Sequence, residues 1–111
     1  MEPVAEPTED NELPARLAAA TREERARLLR QTVLGRAQEI LSRPQMTEES
    51  NFLDNGLTSL TALELAKSLM NGTGLEVPLV AVVENPTPAL LGTYLTEVYE
   101  ADLDEGEGTA G

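Results

Sequence analysis

The stretch Gly56-Leu57-Thr58-Ser59-Leu60-Thr61-Ala62-Leu63-Glu64-Leu65 decides how this chain of 111 residues is read. A turn glycine is followed by two hydroxyl residues, and these open a segment with helical apolar spacing. Ser59 therefore stands at or beside a helix N-terminus, where unpaired backbone N–H groups and the helix dipole favour a phosphate. The chain holds no His and no Cys. Ser59 thus has no imidazole partner and cannot belong to a Ser-His triad. If this serine takes part in chemistry, the reacting group has to be attached to it.

Composition narrows the class further. At 111 residues the chain accommodates one domain, and with one Phe and two Tyr its core is built mostly from Leu, Val, Ile and Ala. Such a core is modest, so marginal stability is expected. The absence of Cys excludes disulfides and a thiol nucleophile; with the absence of His it also excludes a conventional zinc or iron–sulfur site. Asp54-Asn55-Gly56 is not a calcium loop, because Leu53 and Ala62 stand where an EF-hand needs oxygen ligands. No segment approaches a transmembrane span, and the acidic start is unlike a signal peptide, which points to a cytoplasmic protein.

The net charge of −12 is unevenly distributed. Residues 1–12 carry five acids and residues 101–111 carry four, neither with a base. Both read as flexible tails, an N-terminal linker over 1–12 and a Gly-rich acidic tail over 101–111, around a folded domain at 13–100. Inside that domain, residues 13–43 hold seven Arg against three acids, while residues 44–100 hold Lys67 against eight acids. The half containing Ser59 is therefore acidic. That disfavours nucleic acid and favours docking onto a basic protein surface, although a solvated charged face accounts for the same pattern.

Periodicity predicts helices. A short turn or two around Leu13 and Leu17 leads to Thr21-Arg22-Glu23-Glu24, a capping box with Thr21 as N-cap. The helix it opens repeats Leu29, Val33, Ala37, Ile40 and Leu41 and ends near Pro44. A long connection follows, with Phe52 and Leu53 as its expected core anchors. The serine helix stops at Asn71-Gly72, and Thr87-Pro88 caps a last helix whose Leu90, Leu91, Tyr94, Leu95 and Val98 face inward. The run Leu79-Val80-Ala81-Val82-Val83 fits strand or helix, but a lone strand would lack a pairing partner. The expected fold is all-α, a four-helix bundle of three longer helices and a short third one.

Several motifs now converge. Phe52 and Gly56 precede Ser59-Leu60, Thr73-Gly74-Leu75-Glu76-Val77-Pro78 and Pro86-Thr87-Pro88 follow, and Leu13-Pro14-Ala15-Arg16-Leu17 leads into an Arg-rich helix. From about residue 13 to 99 the chain resembles acyl carrier protein domains of the modular polyketide synthase type. In that family the serine matching Ser59 carries covalent 4′-phosphopantetheine derived from CoA. Peptidyl carrier domains of nonribosomal peptide synthetases share the fold and the serine but usually show a second Gly where this chain has Leu57. Two departures stand out: Thr58 replaces the usual Asp, and Val82-Val83-Glu84-Asn85 replaces a segment richer in aromatics. Leu65 stands where carriers engaged in β-branching have Trp, so the chain resembles an ordinary elongation or loading carrier more than a β-branching one.

The resemblance implies a monomeric, non-catalytic carrier that holds acyl or polyketide intermediates as thioesters. It would be loaded by a phosphopantetheinyl transferase and serve ketosynthase, acyltransferase and other synthase domains. The alternatives are a peptidyl carrier or an acidic helical adaptor without an arm, in which Ser59 is merely a helix cap. On a helical wheel, at about 100° per residue, Ala62, Leu65, Ala66, Leu69, Met70 and Leu63 share one arc, whereas Leu60 falls among Thr61, Glu64, Lys67 and Ser68. An exposed Leu is common on any protein surface, but its place beside the serine favours a partner contact. The candidate docking residues are Thr58, Leu60, Leu63, Glu64 and Glu84, with no metal ligand and no catalytic residue.

Overall fold

The computed structural model describes the backbone of residues 9–110 and the side chains of residues 13–103. Helix α1 spans Glu9–Ala19, α2 Arg22–Leu41, α3 Ser59–Thr73, α4 Leu79–Glu84 and α5 Pro88–Ala110. A 3₁₀ turn at Leu53–Asn55 stands in the long connection before α3. Among the described residues there is no strand, so the run at 79–83 is helical and the all-α assignment holds. Helix α2 packs mainly on α5 and also on α3, α1 lies against α3, and short α4 touches both α3 and α5.

Each helix starts and stops where local chemistry permits. Thr21 Oγ1 accepts from the Glu24 N–H at 3.2 Å, and Glu24 Oε1 accepts from the Thr21 N–H at 3.3 Å, which closes the expected capping box. Ser42 ends α2 in the left-handed conformation (φ 56°). Thr87 Oγ1 accepts from the Leu90 N–H at 3.1 Å and so caps α5 one residue before Pro88. The core is an aliphatic cluster of Leu17, Leu29, Val33, Leu65, Leu69, Val82, Leu91 and Leu95 around Phe52, all fully buried.

Five details differ from the sequence expectation. The first element is a full helix beginning at Glu9, ahead of Pro14, so α1 joins the four expected helices. Leu13 and Leu17, four residues apart, bury one face of it. Helix α3 passes through Asn71-Gly72 and ends at Thr73 with Gly74 as its left-handed cap (φ 76°). Gly72 is buried inside the helix, where a Cβ would stand 2.6 Å from Arg36 Nη2. Leu53 is 66% exposed and is not a core anchor, since Phe52 alone fills that site. Leu63 (40%) and Leu90 (50%) are also outward, because the i, i+4 pairs Leu65–Leu69 and Leu91–Leu95 occupy the buried line of each helix. Finally, α5 runs to Ala110, past the boundary expected at residue 100, with Ala101, Asp102 and Leu103 all exposed. Most of the expected N-terminal linker lies outside the described residues.

One charged residue is buried in this scaffold. The Arg25 side chain is 9% exposed. Its Nε donates to the Leu17 carbonyl at 2.9 Å, and Nη2 donates to the Ala20 carbonyl at 3.0 Å. Nη1 pairs with the Glu100 carboxylate, and the guanidinium lies 4.5 Å from the Tyr99 ring centroid. Arg25 thus satisfies the C-terminal carbonyls of α1 and fastens them to α5. Arg25→Ala strips those partners and leaves Glu100 uncompensated. Because Glu100 keeps some water contact, a loss of about 2 kcal/mol is expected in chemical denaturation.

Candidate attachment site

Four elements position Ser59. Phe52 is fully buried, and its N–H donates to the Pro86 carbonyl at 2.8 Å, which anchors the long connection beside the α4–α5 junction. The Ala89 N–H donates to the Glu48 carbonyl at 2.8 Å and adds a second stitch there. The 3₁₀ turn then closes through Gly56, whose N–H donates to the Leu53 carbonyl at 3.2 Å. Gly56 has φ 96°, a conformation strained for any residue with a Cβ, so the turn glycine has a backbone reason to be there.

Thr58, in extended geometry (φ −117°, ψ 176°), is the N-cap of α3. Its Oγ1 accepts from the Thr61 N–H at 3.2 Å, and Thr61 Oγ1 accepts from the Thr58 N–H at 2.7 Å. This is a capping box built from two threonines. Ser59 is the first residue of the helix and is exposed, and its hydroxyl has no hydrogen-bond partner among the described residues. The capping alternative for Ser59 is therefore taken by Thr58, which leaves the serine hydroxyl free at the positive end of a helix of 15 residues.

The other three serines of the chain are placed differently. Ser68 Oγ accepts from Arg36 Nη1 at 2.6 Å, and Ser50 Oγ accepts from the Thr47 N–H at 2.9 Å. Ser42 sits at the C-terminus of α2, where the negative end of the dipole opposes a phosphate. Only Ser59 combines a free hydroxyl with a favourable field.

Leu60 (66% exposed), Leu63 and Glu64 follow the serine along α3 and are exposed, and Glu84 is exposed at the end of α4. Sequence reasoning misses three more outward residues on α4: Leu79 (42%), Val80 (55%) and Val83 (60%). The helix buries only Ala81 and Val82, so most of its apolar run faces solvent. A six-residue helix needs only one or two buried positions, and that excess of apolar residues is the available signal. Among the described residues there is no metal-binding cluster, and no helix is long and apolar enough to cross a membrane.

This arrangement, an exposed N-terminal helix serine on an all-helical scaffold, is that of a carrier domain, and comparison with known proteins agrees. The phosphopantetheine attachment site family matches residues 31–95. The chain belongs to that family, whose members carry 4′-phosphopantetheine covalently on a serine and are not themselves catalytic. It is 38% identical over 92 residues to the spectinabilin polyketide synthase system protein NorA' of Streptomyces orinoci, a match covering 80% of this chain and 2% of that protein. It is 37% identical over 91 residues to the pikromycin polyketide synthase component PikAII of Streptomyces venezuelae, covering 79% and 2% respectively. Among solved structures, the A1-type ACP domain from module 5 of MLSA1 superimposes with a TM-score of 0.71 at 30% identity, covering 83% of this chain and 95% of that one. The chain is thus the length of one carrier domain and a small fraction of the synthase proteins that it matches.

Proposed function

We propose that Ser59 is the attachment residue and that this domain carries acyl or polyketide intermediates between the enzymes of a polyketide synthase in the cytoplasm. The observation that carries the assignment is the unpartnered Ser59 hydroxyl at the start of α3, beside a cap that Thr58 and Thr61 complete without it. The residues fit the group: the hydroxyl is exposed for transfer, and the positive N-terminal end of α3 favours a phosphate. When bound, phosphopantetheine supplies a thiol that holds the acyl group as a thioester. The protein's part is to tether and present, which raises the effective concentration of the cargo at each partner. Relatives that are polyketide synthase proteins favour the acyl over the peptidyl reading. Incubation with CoA and a broad-specificity phosphopantetheinyl transferase, followed by intact mass and peptide mapping, is expected to place one arm on Ser59. Uptake at Ser42, Ser50 or Ser68 overturns the assignment.

Partners are proposed to dock on α3 and α4 through Thr58, Leu60, Leu63, Glu64 and Glu84, with Leu79, Val80 and Val83 adding apolar area. Glu64 and Glu84 belong to the segment in which Lys67 faces eight acids, so the complementary surface is apolar with a basic rim. Glu64→Arg should slow loading about threefold to tenfold at low salt, and the effect should fade as ionic strength rises. Leu60→Ala should slow it about fivefold with no salt dependence, since its contribution is buried apolar area. Rates for both variants at two salt concentrations decide this. Residues 1–12 and 101–111 are proposed to add little to the stability of the domain, although α1 and α5 extend into them.

A further inference from the structure

Asn51 has a bonding pattern that neither the core nor the serine helix requires. Its Oδ1 accepts from the Leu53 N–H at 2.8 Å and from the Asp54 N–H at 3.2 Å, which opens the 3₁₀ turn as a side-chain cap. Its main-chain carbonyl accepts from Asn55 Nδ2 at 2.8 Å and ties the far end of the same turn back to its start. The Asn55 and Leu57 N–H groups both donate to the Phe52 carbonyl at 3.0 Å. The Asn51 side chain thus fixes the start of a three-residue turn whose Leu53 is 66% exposed and whose Asp54 faces solvent, while the Asn55 side chain ties the far end.

The flanks do not depend on Asn51. On one side Phe52 is held by burial and by its bond to Pro86; on the other Thr58 and Thr61 cap α3 between themselves. What the Asn51 side chain orders is confined to the start of the Leu53–Asn55 turn, and that turn buries none of its three residues in the core. Six residues before Ser59, it presents a large apolar side chain and a carboxylate in fixed geometry.

We propose that Asn51 is a positioning residue for the reaction at Ser59, holding Leu53 and Asp54 ready as part of the surface that the modifying enzyme grips. This rests on Ser59 being the attachment residue. Without the Asn51 side chain, the enzyme has to order the turn as it binds, and that cost appears in encounter and not in the chemical step.

The test measures steady-state loading with CoA and a broad-specificity phosphopantetheinyl transferase, varying the carrier concentration. Asn51→Ala should raise KM for the carrier about tenfold and leave kcat within about twofold, with the thermal midpoint close to wild type. Asn51→Ser, which keeps an acceptor for the turn without adding charge, should restore most of the KM. Leu53→Ala should raise KM in the same way, and adding it to Asn51→Ala should bring little more. A wild-type KM for Asn51→Ala overturns the proposal. So does a fall in kcat that accompanies a lower midpoint or an unfolded variant, because Asn51 then acts through general stability. Failure of the Ser59 assignment looks different, since the wild-type protein itself would take up no arm at that serine.

Discussion

Ser59→Ala will take up no phosphopantetheine and will keep the wild-type fold. Loss of function is complete because the other serines are bonded or wrongly placed: Ser68 to Arg36, Ser50 to Thr47, and Ser42 at a helix C-terminus. The fold survives because Ser59 is exposed at the first helical position and contributes no cap; Thr58 accepts from the Thr61 N–H. A surface change of this kind moves stability by no more than about 0.5 kcal/mol. Thr58→Ala gives the reverse profile, losing about 1 kcal/mol with the cap while keeping the hydroxyl that receives the arm. Intact mass after transferase treatment, with helical circular dichroism during heating, separates the two. A Ser59→Ala protein that still gains the arm, or that melts well below wild type, is incompatible with an attachment serine that leaves capping to Thr58.

The serine helix is legible in sequence because its signals are local. Gly56, two adjacent hydroxyls and an apolar repeat all report on the same few residues, and the structure places the helix start at Ser59. The choice between Thr58 and Ser59 as cap is open in sequence, since either hydroxyl type caps a helix and a one-residue shift is beyond periodicity. The division of labour in the long connection is also hidden. Phe52 and Leu53 are both large and apolar, but the turn that begins at Leu53 sends one into the core and the other to solvent. Helix α4 is ambiguous for a different reason: a five-residue apolar run carries no period. Packing against α3 and α5 makes it helical, and its length then fixes which residues remain outside.

The close contact between α2 and α5 is not visible in sequence either, and it supports the second large effect: Gly92→Ala will destabilise the protein by about 2–3 kcal/mol. Gly92 is a buried residue of α5 facing α2. A Cβ at this position would lie 2.6 Å from Arg30 Cγ, 2.7 Å from Arg30 Cα and 2.9 Å from Arg30 N. Two of those atoms are backbone, so no rotamer change relieves the overlap and one helix must move off the other. Alanine gains up to about 1 kcal/mol over glycine in helix propensity, but the clash is larger and sets the sign. Gly35 supplies the control within α2. It is exposed, a Cβ there meets nothing within 4 Å, and Gly35→Ala should therefore stabilise by about 0.5–1 kcal/mol. Gly72 falls between them, since its Cβ would meet only the far end of the Arg36 side chain, at 2.6 Å. Thermal melts of the three alanine variants should rank Gly35→Ala above wild type, Gly72→Ala near it and Gly92→Ala lowest by about 10–20 °C. Because Ser59 lies on α3, outside the α2–α5 contact, the folded fraction of Gly92→Ala should still be loaded. A Gly92→Ala protein as stable as wild type would mean that α2 and α5 do not meet as closely as this packing requires.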